Sequence, residues 1–288
     1  INFKTKPKNI LIISGAGGGK TVCARNICIN IIDKANQIQK ENPTLLFILD
    51  LKNDYVDLKS KLTGDTVIYS VHDNLRLGLN APENVAPFVW AGQMSLSLAG
   101  RIGIITARTV LTLIIAELLL LLNPGLKEED LNDPSVSKHL TWPPLELILK
   151  VTQHDKIMNI FSSKAAYSQS LSQSLEGLLQ DSGKLFNCCN GLDINTVYAK
   201  KQHCIIQAPN LPASVTHVIA DTFINQILVQ RLAKNYKTEH ADILFCLDES
   251  DLLLESDISH FTDLSPIEKL FRLGREMGLM SLICISGV

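Results

Sequence analysis

The 288 residues contain no apolar run long enough to cross a bilayer. The longest, residues 109–122 (TVLTLIIAELLLLL), is interrupted by Glu117, preceded by Arg108, and falls short of the roughly 20 residues a span requires. A buried or subunit-facing helix is expected there. Charge of one sign is also missing: 27 Lys+Arg against 29 Asp+Glu leave a formal net charge of -2. That balance lacks the broad basic footprint of a dedicated nucleic-acid binder, so any such contact has to be local. Charged residues are only 19% of the chain against 46% hydrophobic, which excludes a disordered chain. The seven cysteines are odd in number and lack metal-ligand spacing, as do the seven histidines. The cysteines read as reduced, buried thiols of a cytoplasmic protein. Residues 1–9 are polar and basic, unlike a secretory leader. With Ile in first place and a strand signal close to either end, the sequence reads as the core of a longer protein. No internal repeat is present.

What is there is a strand–helix alternation. Residues 9–13 form a short apolar run, a glycine-rich stretch follows, and residues 21–32 carry apolar side chains at helical spacing. Further strand signals lie at 45–51 (LLFILDL), 66–71 (TVIYSV), 202–207, 243–247 and 279–285. Nearly continuous apolar strands of this kind predict a parallel sheet covered on both faces. Helical patterns are expected over 88–122, 144–153, 155–161, 167–185, 213–235 and 265–277, with a polar, acidic linker around 127–139. The predicted organisation is an α/β core formed by residues 1–81 and 195–288, interrupted by a helical insertion at 82–194.

Two segments carry chemistry. Ser14, Gly15, Ala16, Gly17, Gly18, Gly19, Lys20, Thr21 and Val22 link an apolar strand to a helix start. Successive backbone N–H groups in such a loop, together with the positive end of the helix dipole, make a concave site for phosphates. Lys20 is expected to reach the terminal phosphates of ATP, and the Thr21 hydroxyl to hold Mg²⁺. Ser14 stands where the G-x4-G-K-[ST] pattern has glycine. The second segment, residues 243–249 (ILFCLDE), drives an apolar strand into two acids. Asp248 is expected to hold Mg²⁺ and Glu249 to orient or deprotonate the attacking water. The stretch between Lys20 and Asp248 leaves room for further strands and the helical insertion, which excludes compact kinases and small GTPases. A third cluster contains Arg272 and Arg275 just before the last strand. Either they reach a neighbouring subunit's site, stabilising transition-state charge, or they cap a helix C-terminus.

These residues resemble the FtsK/HerA superfamily of hexameric ATPases, including its conjugative coupling-protein branch. The resemblance rests on Ser14–Thr21 as Walker A, Asp248–Glu249 as Walker B, 47–56 (FILDLKNDYV) as the D-x-K-G-[ED]-[YL] element and 273–286 (LGREMGLMSLICIS) as the arginine run into the last strand. It implies a RecA-like P-loop NTPase core with a mainly parallel central sheet and an inserted helical subdomain. It also implies ATP and Mg²⁺ at subunit boundaries of a homo-hexamer, with Arg275 reaching toward a neighbour. Asp50 and Lys52 match the D-x-K element without a defined role. Asn53 replaces its glycine, and Ser286-Gly287 replaces the family's Thr-Gln, a departure that could alter coupling of hydrolysis to motion. Nothing near residues 208–241 resembles the signature of ABC-type ATPases.

Three functions remain open. One is an ATP-hydrolysing ring motor that translocates DNA, the double-stranded form being expected, with a nuclease as one candidate partner. Another is a coupling ATPase that moves protein or DNA substrates at a secretion channel, tethered to the inner membrane through a part outside this sequence. The third is an ATP-dependent assembly switch.

Overall fold

A computed structural model describes residues 8–15, 17–99, 105–154, 165–254 and 266–286. Six strands, β1 (Ile10–Ser14), β2 (Leu45–Asp50), β3 (Thr66–Ser70), β4 (His203–Gln207), β5 (Thr238–Leu247) and β6 (Met277–Ser286), form one sheet in the order β1-β6-β5-β2-β4-β3. Every pairing is parallel, so all strand C-termini lie along one edge of the sheet.

Side chains alternate between the two faces with a period of two. Leu46, Ile48, Leu244, Cys246, Leu282 and Cys284 point to one face. Helix α1 (Lys20–Ile38) covers it with a stripe of Ala24, Cys28, Ile31 and Ile32, the spacing of one buried helical face. Phe47, Leu49, Phe245 and Leu247 point to the other face, into a core shared with the remaining helices. These are α2 (Pro87–Ala99), α3 (Ile105–Leu122), α4 (Leu145–Thr152), α5 (Ala165–Ser182), α6 (Ile194–Ala199), α7 (Ala213–Ala233), the short α8 (Asp251–Leu254) and α9 (Pro266–Leu273). Phe223 of α7 joins this face through an aromatic trio with Phe47 and Phe245, ring centroids 5.5–6.0 Å apart. Because β2 is central, all six of its residues are buried.

The strands and helices expected from periodicity are present, with β5 longer by the polar segment 238–242, whose composition hides a strand. A register shift between Thr238 and Ile243 lets this end pair with Met277. It also carries Asp242 inward onto Arg231, 2.9 Å away, both nearly enclosed. Tyr236 donates to the same carboxylate at 2.7 Å, and the guanidinium lies 5.1 and 4.7 Å from the ring centres of Tyr198 and Tyr236. The apolar run 109–122 belongs to α3, whose Val110, Leu111, Ile114, Ile115, Leu118 and Leu119 are core residues while Glu117 is exposed. No described helix is long and apolar enough to cross a membrane. The helix expected at 155–161 lies outside the described residues. Among the described residues all seven cysteines are free; Cys28, Cys204, Cys246 and Cys284 are buried, whereas Cys23 and Cys189 are exposed.

Candidate active site

The C-terminal ends of β1, β5, β2 and β6 meet at one cleft of about 340 Å³ lined by Gly15, Gly17, Gly18, Gly19, Lys20, Thr21, Val22, Lys52, Glu249 and Ser286. β1 delivers the glycine loop. Gly19 sits in the left-handed region (φ 78°), a conformation costly to any residue with a Cβ, and turns the chain directly into α1. The first turn of α1 has neither a side-chain cap nor an acidic residue, so its N–H groups and dipole remain open to an anion. Methyl groups at Gly15, Gly17 or Gly19 would meet nothing, since the loop surrounds open space; one at Gly18 would collide with the Ser14 hydroxyl. Ala16 lies outside the described residues.

Lys20 is nearly buried, and its ammonium spans the mouth of the loop. It donates to the Ser14 carbonyl at 3.0 Å and to Ser286 Oγ at 3.1 Å. Ser286, at the end of β6, thus presents a polar atom to Lys20.

Behind the loop, Asp248 at the end of β5 receives several donors. Thr21 Oγ1 and the Tyr55 hydroxyl each donate to Oδ2 at 2.9 Å, and the Glu249 N–H donates to Oδ1 at 3.0 Å. The Cys284 thiol of β6 also bonds this carboxylate, and burial, together with the nearby Cys246 and Asp248, pushes that thiol up. Burial first, then Cys246 and Asp248, raises the Tyr55 phenol far out of any working range, so it stays a donor. One hydroxyl and one carboxylate facing a phosphate loop are hard oxygen ligands, the donor set that suits Mg²⁺. The residues present therefore fit the nucleotide and its metal.

Glu249 follows in the left-handed region (φ 54°), unusual for a residue with a side chain and costing about 1–2 kcal/mol. Ser250 fixes this turn: its N–H bonds the Cys284 carbonyl at 2.9 Å and its hydroxyl the Leu247 carbonyl at 2.6 Å. The Glu249 carboxylate is thereby aimed into the cleft, where it forms an ion pair with the Lys52 ammonium. That contact raises the Lys52 pKa, so the ammonium remains charged.

Ser14, Gly15, Gly17, Gly18, Gly19, Lys20, Thr21, Val22, Asp248 and Glu249 are thus brought together. Arg272 and Arg275 are not. Both are exposed and precede β6, at the end of the sheet opposite Ser286; a ten-residue strand puts about 30 Å between them and the cleft. Sequence reasoning left three contributors without a role: Lys52, Tyr55 and Ser286. The D-x-K element contained the first two, and its spacing carried the signal. Its aspartate, Asp50, shapes the turn, accepting the N–H groups of Lys52, Asp54 and Tyr55 at 3.2, 3.0 and 3.1 Å.

No protein-family model matches the chain, and no curated protein matches it in sequence. Solved structures do resemble it. The plasmid coupling protein TrwB in complex with ADP and Mg²⁺ matches 98% of the chain at 13% identity and a TM-score of 0.64. TrwB in complex with a non-hydrolysable ATP analogue gives 14% and 0.62 over the same share. VirB4 of Thermoanaerobacter pseudethanolicus matches 97% at 12% identity and a TM-score of 0.58, with 69% of its own length covered. The chain spans 64% of the length of these TrwB chains. At such identities the likeness establishes architecture: the chain has the RecA-like P-loop fold that TrwB and VirB4 share.

Proposed function

We propose that the chain is an Mg²⁺-dependent ATPase and the motor core of a ring that moves DNA. The observation that carries this reading is the convergence of Lys20 and Thr21 at the start of α1 with Asp248 and Glu249 at the end of β5, two segments far apart in sequence, on one cleft. Lys20 and the loop N–H groups bind the β and γ phosphates, while Thr21 and Asp248 would hold the Mg²⁺, which when bound would offset phosphate charge. Glu249 takes a proton from water as the water oxygen bonds to the γ-phosphorus. The bond to the β–γ bridging oxygen breaks, its electron pair leaves with ADP, and the proton passes from Glu249 to solvent. Arg275, and Arg272 beside it, act on a neighbouring subunit's cleft in a homo-hexamer, since neither reaches its own.

A second reading, a coupling ATPase at a secretion channel, is favoured by the likeness to TrwB, described as a bacterial conjugative coupling protein. In that reading the segment 82–194 is the docking surface for substrate or channel protein. Steady-state hydrolysis with and without long double-stranded DNA separates the two, with Lys20→Ala and Glu249→Gln as controls. The DNA-motor reading expects strong stimulation by DNA, lost in both variants. Turnover indifferent to DNA transfers support to the coupling reading. Turnover that survives Lys20→Ala and Glu249→Gln refutes the assigned site.

A further inference from the structure

Lys52 is a second lysine in a cleft that already has Lys20, and its ammonium is held by the residue assigned as the catalytic base. Its backbone is fixed, because the 50–55 turn is bonded to Asp50 through three N–H groups and Asn53 is tied to β4 by Gln207 Nε2 at 3.0 Å. Its side chain is the more exposed of the pair, 57% against 14% for Glu249. The same turn supplies Tyr55 to Asp248, so one short segment holds both acids of the β5 end.

An ammonium in this position has two anionic partners within the cleft. Without a terminal phosphate it neutralises Glu249, and a carboxylate engaged by an ammonium is a weaker acceptor for the proton of water. A γ-phosphate carries more charge and more acceptor oxygens than one carboxylate, and it would draw a flexible lysine away. A diphosphate offers nothing at that position.

We propose that Lys52 is a positioning residue that senses the γ-phosphate. It restrains Glu249 while the cleft is empty or holds ADP, and it transfers to the terminal phosphate when ATP binds, releasing Glu249 to act on water. This rests on the ATP-hydrolysis reading and adds to it a competition between two anions for one cation.

Direct binding tests the competition without turnover. Calorimetry with Mg²⁺ would compare a non-hydrolysable imido analogue of ATP with ADP, on wild type, Lys52→Met, Lys52→Arg, Glu249→Gln and the Lys52→Met/Glu249→Gln pair. Lys52→Met is expected to weaken the analogue about tenfold or more and ADP by less than about twofold, whereas Lys52→Arg keeps the preference. Glu249→Gln removes the competing anion and is expected to tighten the analogue alone, an effect that disappears in the double variant. Equal shifts for both nucleotides, or a Glu249→Gln effect that persists without Lys52, overturn the assignment. A wild-type chain that binds neither nucleotide refutes the ATP reading itself, an outcome distinct from a failed preference.

Discussion

Replacing Gly278 by alanine probes how the arginine-bearing turn is joined to the sheet. Gly278 has φ 73° at the start of β6, and a Cβ there would lie 2.5 Å from Thr238 Cγ2, 2.8 Å from Asp242 Oδ2 and 2.8 Å from the His240 carbonyl. The left-handed backbone alone costs a non-glycine residue about 1–2 kcal/mol. The Cβ also displaces the carboxylate that neutralises Arg231. Disrupting a buried pair costs about 3–5 kcal/mol, because the remaining charge is left enclosed without its partner. Together the loss is about 4–7 kcal/mol, a large part of the about 5–15 kcal/mol by which domains are stable. With a urea m-value of about 2–3 kcal/mol/M, the unfolding midpoint drops by about 2 M. Urea titration of Gly278→Ala beside Gly177→Ala measures this. Gly177 lies in α5, where an added Cβ meets nothing, so its replacement should stabilise by about 0.5–1 kcal/mol. A Gly278→Ala midpoint within about 0.3 M of wild type would refute the packing argument.

Tyr55→Phe deletes one hydroxyl and leaves Asp248 with one donor fewer; a hydrogen bond to a charged group of this kind is worth about 1.5–3 kcal/mol. Urea unfolding should register that loss in nucleotide-free protein, and an unchanged midpoint would show that the phenol does not support the Asp248 carboxylate. His203 gives a pH dependence. Its Nδ1 accepts the Leu46 N–H at 2.9 Å and its Nε2 faces the Thr63 carbonyl at 3.1 Å, while burial lowers its pKa. The unfolded imidazole binds a proton below about pH 6.5 and the folded one only at lower pH. The stability this group contributes is therefore present above that range and lost as pH falls through it. Thermal melts should decline between about pH 7 and pH 5, and His203→Gln, which keeps an acceptor and a donor, should flatten the decline; an equal slope in both proteins would exclude His203 as the cause.

The elements most legible in the sequence were those that a local pattern encodes. Apolar runs such as 45–49 and 243–247 have to be central strands because nothing in them tolerates water, and the glycine loop before Lys20 announces an anion site by its backbone. Side-chain pairs across the fold had no such signature. Lys52 meets Glu249, Tyr55 meets Asp248 and Lys20 meets Ser286 only because the parallel sheet aligns its strand ends. The polar start of β5 escaped for a related reason: Asp242 is buried by its partner Arg231, and pairing, unlike hydrophobicity, leaves no periodic trace. Arg275 and Gly278 stand in one motif, yet the structure gives the glycine a packing reason and places the arginine away from the cleft of its own chain.

The sheet order has a consequence for how the chain is made. Among the described residues β1 pairs only with β6, Ile10 opposite Leu282 and Ser14 opposite Ser286. During vectorial synthesis, β1 leaves the ribosome long before β6 and must wait for nearly all the intervening sequence before this partner appears. Closing so distant a pairing is slow and leaves an apolar strand edge open meanwhile. Residues 45–247 can assemble β2, β3, β4 and β5 without it. The central strands can therefore pair before β1 and β6 close the cleft between Lys20 and Ser286, so a nascent chain would hold a folded sheet beside an incomplete cleft.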